Sequence, residues 1–266
     1  MNRCDFLATS ASAALLAMMN VHEVLAAEPL SREHHSKKPL IHSLRLLTTS
    51  PLSDLSRFYG KVLGLPFSTN DKSLTIRAGQ STITFTKVEA VERPFYHFAF
   101  NIPENKIEMA FAWQRSRTPI IHPNPDGPRD AITHFRHWNA HSIFFLDPAG
   151  NLVEYIARHD LQNRTEGEFS INDLQYVSEI GFIVDDTEET GATIKKSLNL
   201  DSYRPSENFM PIGDEYGLLL MIHTGRVWSA NPNQSNKVGV FSTSVSINGG
   251  SDWKSARYPY EILKHK

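Results

Sequence analysis

The order of predicted elements, a strand, a helix and then short strands, recurs along this 266-residue chain and constrains its fold most strongly. Apolar residues alternate in Ile41–Thr48, which predicts a strand, and recur at helical spacing in Ser53–Leu63, which predicts a helix. Three short predicted strands complete this unit: Pro66–Ser68, Leu74–Ala78 and Thr82–Val88. A repeat of roughly 55–80 residues is too long for a solenoid and indicates units that pair to bury their sheets.

The same order of elements occurs twice more. The second unit has a predicted strand at Phe95–Asn101, a helix from Pro103 to about Arg117, short strands at 120–121 and near 133–137, and a closing hairpin. The third unit has a strand at 177–184, a helix at 188–198, weak strands at 202–204 and 209–212, and an apolar strand at 217–223. One more strand, Val238–Ile247, precedes a polar tail.

Composition narrows the functional classes. A formal net charge of -2 gives no electrostatic footprint for nucleic acid or for an anionic membrane surface, which favours a small-molecule or metal partner. Cys4 is the only cysteine, so a metal in the folded body must be held by His, Asp or Glu. The 12 histidines make such a site feasible.

The closing hairpin of the second unit contains an unusual carboxylate. Ile143–Leu146 and Leu152–Ile156 are extended runs on either side of the turn residues 147–151. Glu154 lies between Val153 and Tyr155, and burying an unpaired carboxylate there would cost several kcal/mol. It is either an edge-strand residue that faces water or an arginine, or it is a metal ligand.

Two phrases resemble a known family. DLSRFYGKVLGLPF at Asp54–Phe67 and FFLDPAGNLVEYI at Phe144–Ile156 are similar to the signatures of the vicinal oxygen chelate superfamily, which includes glyoxalase I, fosfomycin-resistance enzymes and extradiol dioxygenases. The resemblance implies an α+β fold of repeated βαβββ modules. We therefore expect two modules over 40–160 to pair into an open curved sheet around a metal site, and a third module with an extra strand over 173–248.

The resemblance also implies a ligand set. The family positions fall on His42, His97 and Glu154, while the fourth falls on or near Thr84, a poor ligand. Two imidazoles and one carboxylate suit one divalent metal, with Fe(II) favoured and Mn(II) or Zn(II) as alternatives. A three-ligand site matches extradiol dioxygenases and fosfomycin-resistance enzymes better than glyoxalase I, whose sites usually have four protein ligands.

Histidines just upstream of the hairpin are candidate acid–base groups. His141 is our first choice and His137 our second, since either could take a proton from a bound substrate, although a structural role is the alternative for each. Phe135 and Trp138 are predicted to wall the substrate pocket together with Thr84.

Two functional classes remain open at this stage. The first is a metal-dependent enzyme that chelates a small molecule through vicinal oxygens, most like a ring-cleaving dioxygenase, with glyoxalase-type or fosfomycin-type chemistry as the alternative. The second is a bleomycin-resistance-like protein that binds a small molecule without catalysis. A homodimer is a further expectation, because modules pair between subunits in this superfamily.

The N-terminus predicts export. Residues 1–27 form a signal, with Arg3, the apolar run Ala11–Met19 and a small-residue cleavage site near Ala27, and the run is too short to span a bilayer. The start resembles a twin-arginine signal with Cys4 in place of the second arginine. The alternative is an amphipathic helix packed on the body. Residues 28–39 are predicted to be a linker and 249–266 a tail.

Export to the bacterial periplasm, with no membrane attachment after cleavage, leads to a direct test. Mass spectrometry of protein purified from its native host should give a mature chain that starts near Ala27 or Glu28, because signal peptidase cuts after small residues. Recovery of the chain with Met1 intact would contradict the export prediction.

Overall fold

The structure is a computed structural model that describes residues 38–90, 92–122, 131–226 and 239–266. The predicted export signal (1–27) and all but the last two residues of the predicted linker lie outside the described residues. In the described part of the chain, every helix is too short or too polar to cross a lipid bilayer.

Fourteen strands of the described part form one mixed sheet, and a few helices cover it, which confirms the α+β class. The strands are β1 Ile41–Thr48, β2 Phe67–Thr69, β3 Ser73–Ala78, β4 Ser81–Lys87, β5 His97–Ile102, β6 Thr133–Phe135, β7 Ala140–Leu146, β8 Leu152–Arg158, β9 Tyr176–Val184, β10 Phe209–Asp214, β11 Gly217–His223, β12 Thr243–Ile247, β13 Trp253–Lys254 and β14 Tyr260–Lys264. The helices are α1 Leu52–Ser56, which continues as a π-helical segment Arg57–Val62, α2 Ile107–Arg115 and α3 Thr187–Leu198.

Local sequence chemistry sets the helix boundaries. The side chain of Asp186 accepts a hydrogen bond from the Glu189 backbone N–H at 2.8 Å, which caps the start of α3, and Asn199 ends that helix with a φ of 54°. Gly64 follows the π-helical segment and has a φ of 88°, a backbone conformation that disfavours residues with a Cβ. The predicted helices therefore end close to their predicted positions.

The pairing of the units differs from the expectation. Strand β5 of the second unit pairs antiparallel with β9 of the third, and β8 and β11 flank this pair as parallel neighbours. Strand β1 of the first unit meets β9 through one residue pair, Ile41 with Val177, and does not neighbour β5. The expected pairing of the first two units within 40–160 is thus wrong, because β9 occupies the edge of β5 that β1 would need.

The first unit pairs with the C-terminal strands instead. Strand β1 has β4 as its parallel neighbour and β12 as its antiparallel neighbour, and β14 runs parallel to β12. The predicted polar tail 249–266 therefore contains two strands of the sheet. Tyr260 and Ile262 alternate in β14 and are both buried, so a short period-two pattern was present in the sequence.

A buried hydrogen bond ties the first unit to the closing hairpin. The Tyr59 hydroxyl donates to Asp147 Oδ2 at 2.8 Å, and the Asn151 backbone N–H donates to Asp147 Oδ1 at 2.9 Å. Burial raises the pKa of Asp147, while its hydrogen bonds with Asn151 and Tyr59 act in the opposite direction. The turn of the hairpin is thereby fixed from both sides.

The C-terminal strands should contribute measurably to stability. The Tyr260 hydroxyl donates to the Ile183 carbonyl at 2.7 Å and accepts from the Ile183 backbone N–H at 3.0 Å, both in the interior. Tyr260→Phe leaves these buried backbone groups unpaired, so we expect a loss of about 1–3 kcal/mol in the free energy of unfolding. Urea denaturation should show a lower midpoint with an unchanged slope.

Tyr258→Phe is the matched control. Its hydroxyl accepts from the Asp185 backbone N–H at 2.9 Å, but at the exposed surface, where water replaces the lost bond. Tyr258→Phe should change the free energy of unfolding by no more than about 0.5 kcal/mol. Equal midpoints for the two variants would contradict an integral role for β14.

Candidate metal centre

Three side chains that could hold a cation converge on one face of the central strands. In the described part of the chain, His97, Glu154 and Glu179 form one group in which a ligand atom of each lies within 4.8 Å of the others. All three side chains are buried, with exposed fractions of 7%, 3% and 3%. They lie at the floor of a cavity of about 450 Å³.

Strand register brings the three residues together around Ala99. In β5, Ala99 is the partner of Glu154 on β8 and of Glu179 on β9, so the two carboxylates flank a methyl group. His97 is two residues earlier on β5, and side chains two apart share a face of a strand. The small Ala99 side chain leaves room for both acids to lean toward the imidazole.

The imidazole of His97 is oriented with Nε2 toward the acids. Nδ1 lies 3.1 Å from the Leu152 carbonyl oxygen, which can only accept, so Nδ1 carries a proton. In the neutral ring Nε2 then carries a lone pair, and it lies 3.4 Å from Glu154 Oε2 and 3.8 Å from Glu179 Oε2. A backbone carbonyl behind the ring is the usual outer contact of a metal-binding histidine.

The charges at this floor do not balance. Arg158 is fully buried and forms an ion pair with Glu179 Oε1, which offsets one of the two carboxylates. Burial and then the neighbouring Glu179 carboxylate raise the pKa of Glu154 well above its ordinary value. Two buried carboxylates whose oxygen atoms lie within 4.8 Å of each other require either a proton or a cation between them.

The donor set fits a divalent metal ion. Ligand atoms about 2.0–2.2 Å from a metal would lie roughly 3 Å apart, close to the separations of 3.4 and 3.8 Å measured from His97 Nε2. One imidazole and two carboxylates suit Mn(II), Fe(II) or Zn(II). His97, Glu154 and Glu179 would hold such an ion through Nε2, Oε2 and Oε2.

The position that would complete a four-ligand set holds a leucine. On β5, the strand partner of Glu154 is Ala99, two residues after His97. On β9, the residue two places after Glu179 is Gly181, and its strand partner on β11 is Leu220. Leu220 is therefore the counterpart of Glu154 in the third unit. Leu220 also lines the cavity. The arrangement could therefore provide three protein ligands, with an apolar residue at the fourth position.

Aromatic and cationic residues form the rest of the cavity. Phe135, Trp138, Phe144 and Phe209 line it together with Leu152 and Ile156. The Trp138 ring stacks on Phe209 with centroids 6.1 Å apart, and Phe135 meets Phe144 edge to face at 6.3 Å. These walls suit a flat apolar molecule. Of the three pocket residues expected from the sequence, Phe135 and Trp138 line this cavity.

The structure places two other expected site residues elsewhere. His42 sits at a bulge in β1, its Nε2 lies 3.0 Å from Asn248 Oδ1, and its ring stacks on His265 at 3.5 Å. Thr84 Oγ1 lies 2.9 Å from Thr75 Oγ1 on the neighbouring strand. His42 and Thr84 both belong to the half of the sheet built from β1, β4 and β12. The expected ligand set of His42, His97 and Glu154 is thus corrected, because His42 does not join the other two.

The two expected acid–base histidines lie in different places relative to the cavity. His141 is three residues before Phe144 on β7, so strand alternation directs it to the opposite face. There its Nδ1 lies 2.7 Å from His159 Nε2, and its ring stacks on His134 at 4.2 Å. His141 is therefore not placed to act on a molecule in the cavity. His137 is exposed and lines the cavity.

Glu179 was missed although the sequence carried a signal for it. It lies in the apolar strand β9 between Ser178 and Ile180, the same unusual setting that drew attention to Glu154. It also falls on the first strand of the third unit, where the family pattern places a ligand. The expectation that adjacent units pair directed the search to the first unit and therefore to His42.

The first of three similar solved structures shows the fold. A Bacillus subtilis subsp. subtilis str. 168 protein described as a candidate dioxygenase matches at 15% identity with a TM-score of 0.53, over 80% of this chain and 71% of that one. Glyoxalase I from Zea mays matches at 15% identity and a TM-score of 0.48, over 79% and 75%. A glyoxalase/bleomycin resistance protein/dioxygenase from Nocardioides matches at 20% identity with a TM-score of 0.35, over 50% of this chain and 91% of that one.

Sequence comparison adds nothing to this finding. No protein-family model matches the chain, and no curated protein matches it. The structural match to the Bacillus subtilis protein confirms the fold that the resemblance to the vicinal oxygen chelate superfamily implied.

Elemental analysis can test the site. After reconstitution the protein should hold about one Fe, Mn or Zn per chain, and Glu154→Gln or Glu179→Gln should lose most of it. Each change removes a charged ligand but keeps an oxygen that can accept a hydrogen bond, so the fold is retained. For Glu179→Gln this oxygen still meets Arg158, which is otherwise left buried without a partner.

His42→Ala is the control, because this residue pairs with Asn248 rather than with the buried acids. It should keep full metal content. Loss of metal in His42→Ala, or stoichiometric metal in both glutamine variants, would contradict the site.

Proposed function

We propose that this chain, which has the fold of the vicinal oxygen chelate superfamily, is a metal-dependent enzyme that cleaves the ring of an aromatic diol with dioxygen. The observation that carries the proposal is the buried group of His97, Glu154 and Glu179 at the floor of an aromatic cavity of about 450 Å³. A cavity of this size and lining suits one small aromatic ring.

The three-ligand arrangement favours an oxygenase over a glyoxalase-type lyase. Leu220 takes the position of a fourth ligand, so three protein atoms would hold the ion and leave it accessible to substrate oxygens. A divalent ion bound here would supply Lewis acidity and the redox chemistry for dioxygen. Both atoms of dioxygen enter the product in such a cleavage, so no added reductant is needed.

The chain itself supplies orientation and a dry environment. Phe144 is the strand partner of Glu154 and meets Phe135 edge to face, so the two rings can confine a flat substrate beside the floor. Trp138 packs against Tyr203 at 5.6 Å and closes another side. Apolar walls of this kind exclude water and strengthen the electrostatic interactions at the floor.

His137 is the proposed proton acceptor. It lines the cavity, and its backbone carbonyl accepts a hydrogen bond from Arg204, which fixes the short helix 136–138 that carries it. Its imidazole nitrogen would take the proton of a substrate hydroxyl as the diol binds through both oxygens.

Oxygen uptake tests the proposal. Protein loaded with Fe(II) should change its absorption spectrum when catechols are added without oxygen, and it should consume one dioxygen per catechol when air is admitted. His137→Gln should lower kcat by roughly 100-fold and leave catechol affinity unchanged, because a general base acts on the chemical step. His141→Gln, on the opposite face of the sheet, is the matched control and should keep kcat.

Two outcomes would contradict the proposed function. Metal-loaded protein that ignores a broad panel of catechols would exclude it. Catechol binding without oxygen uptake would indicate a small-molecule binding protein instead.

A further inference from the structure

The cavity has an uneven distribution of charge. Among its described lining residues, the acidic side chains are Glu154 and Glu179, both at the floor. Two arginines, Arg204 and Arg226, line the same cavity. In the part of the cavity away from the floor, the described lining residues therefore include cationic groups and no acid.

Arg204 is already engaged. Its Nη2 lies 3.4 Å from Asp160 Oδ2, and its Nη1 donates to the carbonyl oxygen of His137. An ion pair with Asp160 offsets its charge, and the bond to His137 holds it against the protein. Arg204 is therefore a structural part of the cavity mouth.

Arg226 has no such anion among the residues that the structure describes. Its guanidinium lies over the Phe209 ring at 4.9 Å from the centroid, and in the described part of the chain it forms no ion pair. The side chain is exposed, which places it at the open end of the cavity, yet the surrounding protein lowers its pKa because burial disfavours the charged form. A guanidinium resting on a ring keeps its N–H edge available for a planar anion.

A metal-loaded floor would not repel a negative charge. Arg158 offsets one of the two floor carboxylates, and a divalent cation would more than offset the other. The loaded cavity would then be positive both at the floor and at Arg226, and an apolar wall would separate the two. Field lines focused by such walls favour the entry of an anion.

We propose that the substrate carries a carboxylate in addition to its vicinal oxygens, and that Arg226 binds this carboxylate. The inference rests on the proposed function for the diol end of the molecule, while the carboxylate end depends on Arg226 alone. Phe209, beneath the guanidinium, and Trp138, stacked on Phe209, would contact the ring or linker between the two ends.

Matched probes can test this assignment. Zn(II)-loaded protein, which cannot turn over, is titrated by calorimetry with 3,4-dihydroxyphenylacetate and with its neutral amide. We expect the acid to bind at least about tenfold more tightly, since a charge-assisted bidentate contact exceeds a neutral hydrogen bond. Arg226→Met should abolish this preference and leave the affinity for the amide and the zinc content unchanged.

Arg136→Met is the matched control, because Arg136 is exposed beside the cavity and does not line it. It removes the same charge from the same region, so it should keep the preference for the acid. A preference that survives in Arg226→Met, or that is absent from the unchanged protein, would overturn the inference. A preference lost equally in both variants would also overturn it, because it would show a general effect of charge.

A second pair of probes separates this inference from the proposed function. Phenylacetate and phenylacetamide have no diol, so their comparison does not depend on vicinal-oxygen chelation. If neither catechol binds, the proposed function fails, and an Arg226-dependent preference for phenylacetate would still support the anion site. If catechols bind but neither acid is preferred, the proposed function stands and the anion site is excluded.

Discussion

Two buried carboxylates on either side of one alanine are the constraint on which the rest of this structure depends. Glu154 and Glu179 each pair with Ala99 across neighbouring strands, and each is almost completely buried. Placing two negative charges in a sheet interior is costly unless other groups offset them. Arg158 offsets one, and Nε2 of His97 faces both carboxylates. The site is thus arranged for a cation.

The division of the sheet explains why the site occurs in one half of the fold. Strands β8, β5, β9 and β11 carry the buried acids and the aromatic cavity, whereas β4, β1, β12 and β14 form a second set of the same parallel and antiparallel order. In that second half His42 stacks on His265 and meets Asn248. One set of strands carries the candidate site, and the other set extends the sheet.

The sequence was informative where the relevant contacts are local. Alternation and capping predicted most strands and helices within a few residues, and the hairpin around Glu154 formed as expected because its turn residues and strands are adjacent. His97 and Glu154 were expected to lie in one site, and strand register brings them within 3.4 Å of each other inside one unit. The weak alternation of Tyr260 and Ile262 was overlooked because it lies in a short polar segment.

The chain by itself determined the α+β class, the repeated units and an acid that could not be buried alone. It did not determine which units pair, because each unit offers a similar edge strand and the choice depends on contacts between residues far apart in the chain. Tertiary structure placed β9 beside β5. As a result, Glu179 lies beside Glu154 where the sequence had predicted His42, and Leu220 takes the fourth position where it had predicted Thr84. It also directed His141 on β7 to the opposite face of the sheet, because side chains alternate along a strand, and it left His137 beside the cavity in the short helix 136–138.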